Sequence, residues 1–388
     1  MIDILFVGAE HAPLRALCHA LRAAQPDWQI RHVATDEMAL EQLARRPVQV
    51  LLSCPDGSPA VATSLFDAAV TACPGAVRLA MLADPAANVP LAHQCLPTGS
   101  SPATVQAVLA GAVAVAGRMR SNREVQRLLC DLREVASPPA LYFDIREQLQ
   151  GRDDSLVTTA AIAARDPALV ARVLKVANSG FYGLPRSVND LTAALGLIGS
   201  DALLSLVLAS HLFSGLPPPG MNLDRLWRHA QQVGALARAI AAADGGSRAQ
   251  QNSAAMAGLL HDVGLIVLLQ NEAARYQPLW RRAAGDEALL VELERGEFGI
   301  CHGELGALIL TLWTLPLDVV RAVAHSHLGD VTELPLVSRA VLAAEWLQGI
   351  DTGEVDPDAL SPALAAAAPD AWQRWQTVRN ELTAAQGG

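Results

Sequence analysis

Ala163-Ala164-Arg165-Asp166-Pro167-Ala168-Leu169-Val170-Ala171-Arg172-Val173-Leu174-Lys175-Val176-Ala177-Asn178-Ser179-Gly180 is the stretch whose reading decides the fold of this chain. Asp166 can cap a helix, and Pro167 suits the first helical position, where a backbone N–H has no intrahelical partner anyway. At the far end Asn178 and Ser179 can bond the last carbonyls, and Gly180 supplies a left-handed turn. The string therefore predicts a helix over 168–178 with a structural signal at each end. Outward from it the pattern stays helical. Ser137-Pro138-Pro139 is a break on one side. On the other, Ser187 with Asp190 three residues on reads as a capping box before Leu191–Ile198, and Gly215–Gly220, with three prolines, separates this block from the next.

The first hundred residues read differently. Ile2–Val7, Gln29–Val33, Val48–Leu52, Ala76–Leu82 and Ala92–Leu96 are short runs rich in apolar residues, spaced by helical patterns such as Leu14, Leu17, Cys18 and Leu21. Thr35 can cap a helix carrying Met38 and Leu43. Strands alternating with helices predict an α/β domain with a parallel, doubly wound sheet. From Pro102 the 3–4 spacing of Val105, Val108, Leu109, Ala112, Val115 and Met119 predicts one long helix, bent near Gly117. Its apolar stripe faces either its own domain or a second copy of the chain. The expected organisation is an α/β domain over 1–118, a connector helix over 103–136 and an all-α domain over 137–348. A tail over 349–388 follows, partly packed down through Trp372 and Trp375.

Composition narrows the function. The 388 residues carry a net charge of −10 with no Lys/Arg cluster, which argues against a nucleic-acid groove. Six cysteines are scattered without a CxxC pair, as expected of reduced thiols in a cytoplasmic protein. No basic segment followed by an apolar run opens the chain, so no signal peptide is expected. Mean hydropathy is +0.25, an effect of abundant alanine. The apolar stretch Leu191–Phe213 is broken by Gly196, Gly199, Asp201 and His211, which predicts a buried helix pair rather than a membrane span. Lys175 is the sole lysine, so no mechanism can use a lysine elsewhere.

Five of the ten histidines fall between Trp227 and Leu328, one of them in Gly258-Leu259-Leu260-His261-Asp262-Val263-Gly264. The apolar run predicts a helix that ends on two adjacent metal-competent side chains. A buried His-Asp pair needs partners or a cation. Histidines and an aspartate can also satisfy one another by hydrogen bonds, with no ion.

The Asp166-Pro167 to Ala177-Asn178-Ser179 string closely resembles the HDOD domain, a helical bacterial signalling module related to the HD phosphohydrolases. The resemblance runs through Leu226-Trp227-Arg228-His229, Gly258–Gly264, Gly303-Glu304-Leu305-Gly306-Ala307 and Trp313-Thr314-Leu315-Pro316, over roughly 135–345. It implies a ligand set for a transition metal (iron, manganese, zinc or nickel) made of His229, His261, Asp262, His302, His327 and Glu345. The family's His-His pair aligns with Ser326-His327, leaving one ligand as serine with His325 close by. Glu345 stands where the family has an aspartate. Leu265 replaces the lysine that follows the pair in related cyclic-dinucleotide phosphodiesterases.

The first domain resembles a response-regulator receiver of flavodoxin-like topology, but stripped of its chemistry. Cys54 stands where the phospho-accepting aspartate would be, Glu10 is the single carboxylate after the first strand, and no lysine follows the fifth. Phosphoryl transfer needs a carboxylate nucleophile, a cation cage and a fixed positive charge, so a pseudo-receiver is expected. Cys54 as a redox sensor is the alternative to a small apolar filler. Together the resemblances imply a bacterial signal-transduction regulator or scaffold, working with kinases, response regulators or cyclic-dinucleotide enzymes, with a homodimer through the connector helix. The rivals are a metal-dependent phosphohydrolase acting on a nucleotide or cyclic dinucleotide, and a nucleotide-sensing pocket without turnover.

Overall fold

Five strands form one parallel sheet in the order β2-β1-β3-β4-β5: β1 Ile2–Val7, β2 Trp28–Val33, β3 Val50–Ser53, β4 Val77–Leu82 and β5 Gln94–Pro97. The register sets Ile4 beside both Ile30 and Val50, Leu52 beside Leu79, and Ala80 beside Cys95. The sheet is covered on both faces, so its central strands read as near-continuous apolar runs; β3 and β4 are buried along their whole length. In this computed structural model the described residues are 2–10, 12–54, 58–85, 87, 89–133, 135, 137–150, 155–178, 188–212, 223–327, 331–352 and 369–386.

Helices Ala12–Ala24, Asp36–Arg45 and Pro59–Ala72 connect the first four strands as the alternation predicts. Thr35 caps the second of them by accepting the Met38 N–H at 3.3 Å. The pattern fails between β4 and β5, where no helix forms among the described residues and the link is turns. Pro85 and Pro90 leave no uninterrupted stretch long enough for one. The connector also departs from expectation. It is two helices, Pro102–Ser121 and Arg123–Asp131, broken at Asn122 and not at Gly117. Asn122 is extended (φ −142°, ψ 114°), and its side-chain oxygen accepts the N–H groups of Glu124 and Val125, so it starts a new helix instead of continuing the old one. The stripe Val105, Val108, Leu109, Ala112, Val115 and Met119 is fully buried within the chain itself.

The chain separates into two compact units. One gathers Met1–Phe143 with Phe298–Ile300 and Leu308–Leu315; the other holds Asp144–Glu297, Cys301–Ala307 and Pro316–Gly388. The second is helical throughout its described residues. Asp166 caps Pro167–Ala177, accepting the N–H groups of Ala168 at 2.9 Å and Leu169 at 3.1 Å. Asn178 ends that helix: its amide donates to the carbonyls of Leu174 and Val188 and accepts the Val188 N–H. Ser179, Gly180, Ser187 and Gly215–Gly220 lie outside the described residues. The cap expected from Ser187 is made by Asp190, whose carboxylate accepts the Ala193 N–H at 2.8 Å. The helices Leu191–Ile198 and Ser200–Leu212 are bent by 105° about Gly199, which takes φ 86°, a value glycine adopts without strain. Among the described residues two helical stretches, Pro102–Ser121 and Arg248–Asn271, are long and apolar enough to cross a membrane, but 89% of the second's apolar window is buried inside the protein. The tail forms helix Pro369–Gln386, and Trp375 is buried with its indole N–H on Asp244 at 3.1 Å.

Candidate metal centre

The helix Leu223–Ala243 carries His229, and Arg248–Leu260 delivers His261 at its end. These two helices cross at glycines. A Cβ on Gly258 would stand 2.7 Å from Gly234 Cα, so only glycine permits the approach that brings the two imidazoles together. His261 closes its helix with αR backbone, Asp262 follows, and Val263–Asn271 begins at once. The pair therefore occupies a helix–helix corner, where both side chains project to one side. Gly264 serves the next approach: a Cβ there would overlap the His302 carbonyl oxygen. His302 opens helix His302–Leu312, His327 follows helix Leu317–Ala324, and Glu345 comes from Leu336–Thr352.

Around one side of Asp262, His229 Nε2 and His261 Nε2 stand 3.2 Å apart, and each lies 3.2 Å from Glu345 Oε2. Asp262 Oδ2 is 3.3 Å from His261 Nε2 and 3.9 Å from His229 Nε2. The other carboxylate oxygen turns the opposite way. Asp262 Oδ1 lies 3.9 Å from His302 Nε2 and 3.7 Å from His327 Nε2. Two donor groups thus share one aspartate: His229, His261 and Asp262 on one side, Asp262, His302 and His327 on the other, each with its ligand atoms within 4.8 Å of one another.

The outer contacts fix which nitrogen faces inward. His261 Nδ1 is 2.7 Å from the Gly258 carbonyl, which can only accept, so Nδ1 carries a proton and Nε2 points at the centre. His302 Nδ1 donates to Glu294 at 2.8 Å, and the same carboxylate accepts the His302 backbone N–H at 2.9 Å and the Tyr276 hydroxyl. This Tyr-Glu-His chain is wholly buried. It matches the carboxylate–histidine pairing that orients metal ligands. A self-satisfied hydrogen-bond network would leave no inward atom spare. Here His302 Nε2 and both ring nitrogens of His327 are buried without a hydrogen bond.

Burial opposes the charged forms of His261 and His302, yet the neighbouring carboxylates outweigh it. Asp262 and Glu345 hold His261 well above the usual imidazole range, and Glu294 with Glu287 raises His302 to about 10. Burial would lift the carboxylates in turn, but His261 holds Asp262, and His229 and His261 hold Glu345, well below the ordinary range. Glu287 is the exception: burial prevails and its pKa is raised. Protons on the facing imidazoles thus keep Asp262 and Glu345 charged, and a divalent cation can take the place of those protons.

The HDOD domain family matches residues 135–328, half of the chain. The chain belongs to the HDOD family. A solved HDOD-domain protein of unknown function from Geobacter sulfurreducens superposes with a TM-score of 0.52 at 19% identity, covering 68% of this chain and 95% of that one. A protein of Shewanella amazonensis SB2B, provisionally named a phosphohydrolase, gives 0.50 at 21%, covering 64% and 91%. These likenesses establish the fold alone. An uncharacterized protein of Treponema pallidum (strain Nichols) is 24% identical over 221 residues, which takes in 56% of this chain and 43% of that relative's length.

Within this HDOD unit all six residues expected from the resemblance come together, from five separate helical segments. His325 does not. Its ring is exposed and Nδ1 donates to the Arg321 carbonyl at 2.7 Å. Ser326 is buried with its hydroxyl on the Val323 carbonyl, and Leu265 is buried beside the pair. Lys175 is exposed, on the rim of a separate cavity of about 190 Å³ floored by Leu206, Ala255 and Met256, with Arg228 also lining it. Three residues of the centre escaped sequence reasoning: Glu287, Glu294 and Tyr276. Glu294 had a signal. It falls on the buried phase of its helix with Leu290 and Val291, where an acid needs a reason. In the other unit, Cys54 follows β3 and is buried beside Met81; burial pushes its thiol up to about 12. Glu10, the carboxylate after β1, is exposed and pairs with Arg15.

Proposed function

We propose that this chain is a bacterial signal-transduction protein whose HDOD unit holds divalent transition metal in the centre built on Asp262, and that it acts by binding partners. The observation that carries the metal reading is His302. Its Nδ1 is locked onto Glu294, while Nε2 is buried, makes no hydrogen bond and faces the carboxylates of Asp262 at 3.9 Å and Glu287 at 3.5 Å. Imidazole and carboxylate donors suit iron, manganese, zinc or nickel. His229, His261, Asp262 and Glu345 would hold one ion, and Asp262, His302 and His327 a second. Such an ion supplies Lewis acidity and an activated water when bound. The protein's own part is to orient the donors through Gly258 and Glu294 and to shield them from solvent.

Two observations favour binding over phosphodiester hydrolysis. Leu265, the third residue past Asp262, contributes no charge to face a phosphate, and phosphoryl chemistry depends on such positioned charge. The N-terminal unit, whose 2-1-3-4-5 parallel sheet fits a flavodoxin-like receiver, carries a buried neutral thiol where a phospho-acceptor would be. That unit is then an unphosphorylated docking module, and the partners are kinases, response regulators or cyclic-dinucleotide enzymes. The convergence of His229, His261, Asp262, His302, His327 and Glu345 supports a second reading, metal-dependent hydrolysis of a nucleotide or cyclic dinucleotide. Metal analysis of the purified full chain, followed by assay against cyclic dinucleotides with manganese or iron, separates them. Bound transition metal without turnover is the expected result. A protein that takes up no metal sinks the centre, and turnover abolished by His261→Ala replaces the binding reading with the enzymatic one.

A further inference from the structure

We infer that Glu287 is a metal ligand of the second half of the centre, filling the place that Ser326 leaves vacant. The inference rests on the metal reading above and adds a residue that the HDOD resemblance does not point to. Ser326 is removed from the centre by its own hydrogen bond: the hydroxyl donates to the Val323 carbonyl at 2.9 Å and closes the end of helix Leu317–Ala324. The second half would then rest on His302, His327 and the Oδ1 of the shared Asp262. Glu287 enters from elsewhere in the fold. It begins helix Glu287–Phe298, and Glu294 lies seven residues on, so two helical turns place both carboxylates on one face.

One helix thereby orients His302 from behind through Glu294 and meets its inward nitrogen from the front through Glu287. Glu287 Oε1 lies 3.5 Å from His302 Nε2 and 3.4 Å from His327 Nδ1. Those two imidazoles are its only ion-pair contacts among the described residues, so no arginine claims the carboxylate. Donors bound to one ion at about 2.1 Å stand roughly 3.0–4.2 Å apart. Glu287 Oε1 and Asp262 Oδ1 both lie within that interval of His302 Nε2, and His327 turns Nδ1 to Glu287 and Nε2 to Asp262, so it gives the ion one of its two nitrogens. Glu287 is also the most open member of the group, at 36% side-chain exposure. Two carboxylates and two imidazoles make a harder, more anionic site than three imidazoles and one carboxylate. Hard oxygen donors favour manganese and ferrous iron.

The test uses the full chain, freed of metal and reloaded with Mn²⁺ alone. Metal per chain is measured after gel filtration, and electron paramagnetic resonance reports whether the ions are coupled. The wild type should hold two Mn²⁺ with a coupled spectrum. Glu287→Ala should hold one, with an isolated six-line signal, and unchanged circular dichroism should show the fold intact. The double variant Glu287→Ala/Ser326→His should regain the second ion. Two ions retained in Glu287→Ala, or a wild type with one ion that the substitution leaves alone, overturns the role of Glu287 while the centre stands. A wild type that binds none overturns the centre itself.

Discussion

The two units each bury a cluster of charged and imidazole side chains, and they resolve it in opposite ways. In the N-terminal unit Arg78 on β4 is wholly buried, with Nε on the Leu91 carbonyl at 2.6 Å and Nη2 on the carbonyls of Leu129 and Cys130 at 3.4 and 3.2 Å. His93 accepts the Arg78 backbone N–H at 2.9 Å through Nδ1, so its Nε2 carries the proton and donates to the Leu129 carbonyl at 2.8 Å. Burial, reinforced by Arg78, holds His93 neutral, its pKa well below the usual range. Apart from the contact between Arg78 and His93 themselves, these polar bonds end on backbone carbonyls. They fasten the helix-less β4–β5 link and the end of helix Arg123–Asp131, whose C-terminal carbonyls favour a cation. In the HDOD unit the side chains converge on one another instead, and the atoms left without a hydrogen bond are imidazole nitrogens able to ligate, whereas the one left over on Arg78, Nη1, is not. A buried polar cluster spent on the backbone is structural; one with spare convergent donors is a site.

The comparison can be broken, and the largest effect is expected at Asp262. Because each of its oxygens serves one half of the centre, Asp262→Asn should abolish metal uptake in both halves, read as metal per chain, with hydrogen exchange in β4 and β5 unchanged. Arg78→Met should do the reverse. Stranding buried carbonyls costs about 2–3 kcal/mol, seen as faster amide exchange in β4 and β5 while metal content stays at the wild-type value. A shift in metal content here would mean the two clusters are not independent. Glu294→Gln should weaken the His302 side by roughly 10–100-fold in metal affinity, as loss of an orienting partner does, and leave the His229 side alone. An unchanged titration would reduce the Tyr-Glu-His chain to packing. The smallest effect is at Cys54. With its thiol pushed up to about 12 and buried, it should resist iodoacetamide at neutral pH in the folded protein, and an acyl-phosphate donor should leave no label on the N-terminal unit. Rapid alkylation would revive the redox-sensor reading.

Much of this was legible in the residues. Asp166-Pro167 and Asn178 mark their helix ends because caps are local chemistry. The six converging residues could be put in order because the HDOD resemblance supplies a frame for positions spread from His229 to Glu345. Glu287 was not legible, since Glu292 and Glu297 nearby are the same residue type in the same helix; Glu294 was marked only by sharing the phase of Leu290 and Val291. The break at Asn122 was misread as Gly117 because glycine lowers helix propensity, while Asn122 offers a better bond to the next helix start. The β4–β5 link went against the βα alternation because two prolines outrank the pattern.

Sequence alone therefore determined the succession of an α/β and an all-helical half, several helix ends, and the residue types available at the centre and after β3. Those follow from short-range signals: caps, periodicity and residue type. Which donors meet, which nitrogen faces inward and whether any is left unpaired were decided by tertiary structure. Those depend on close crossings such as Gly234 over Gly258, which join positions far apart in the chain. Asp262 has the same carboxylate in either description. Only the fold turns its two oxygens toward two different sets of histidines.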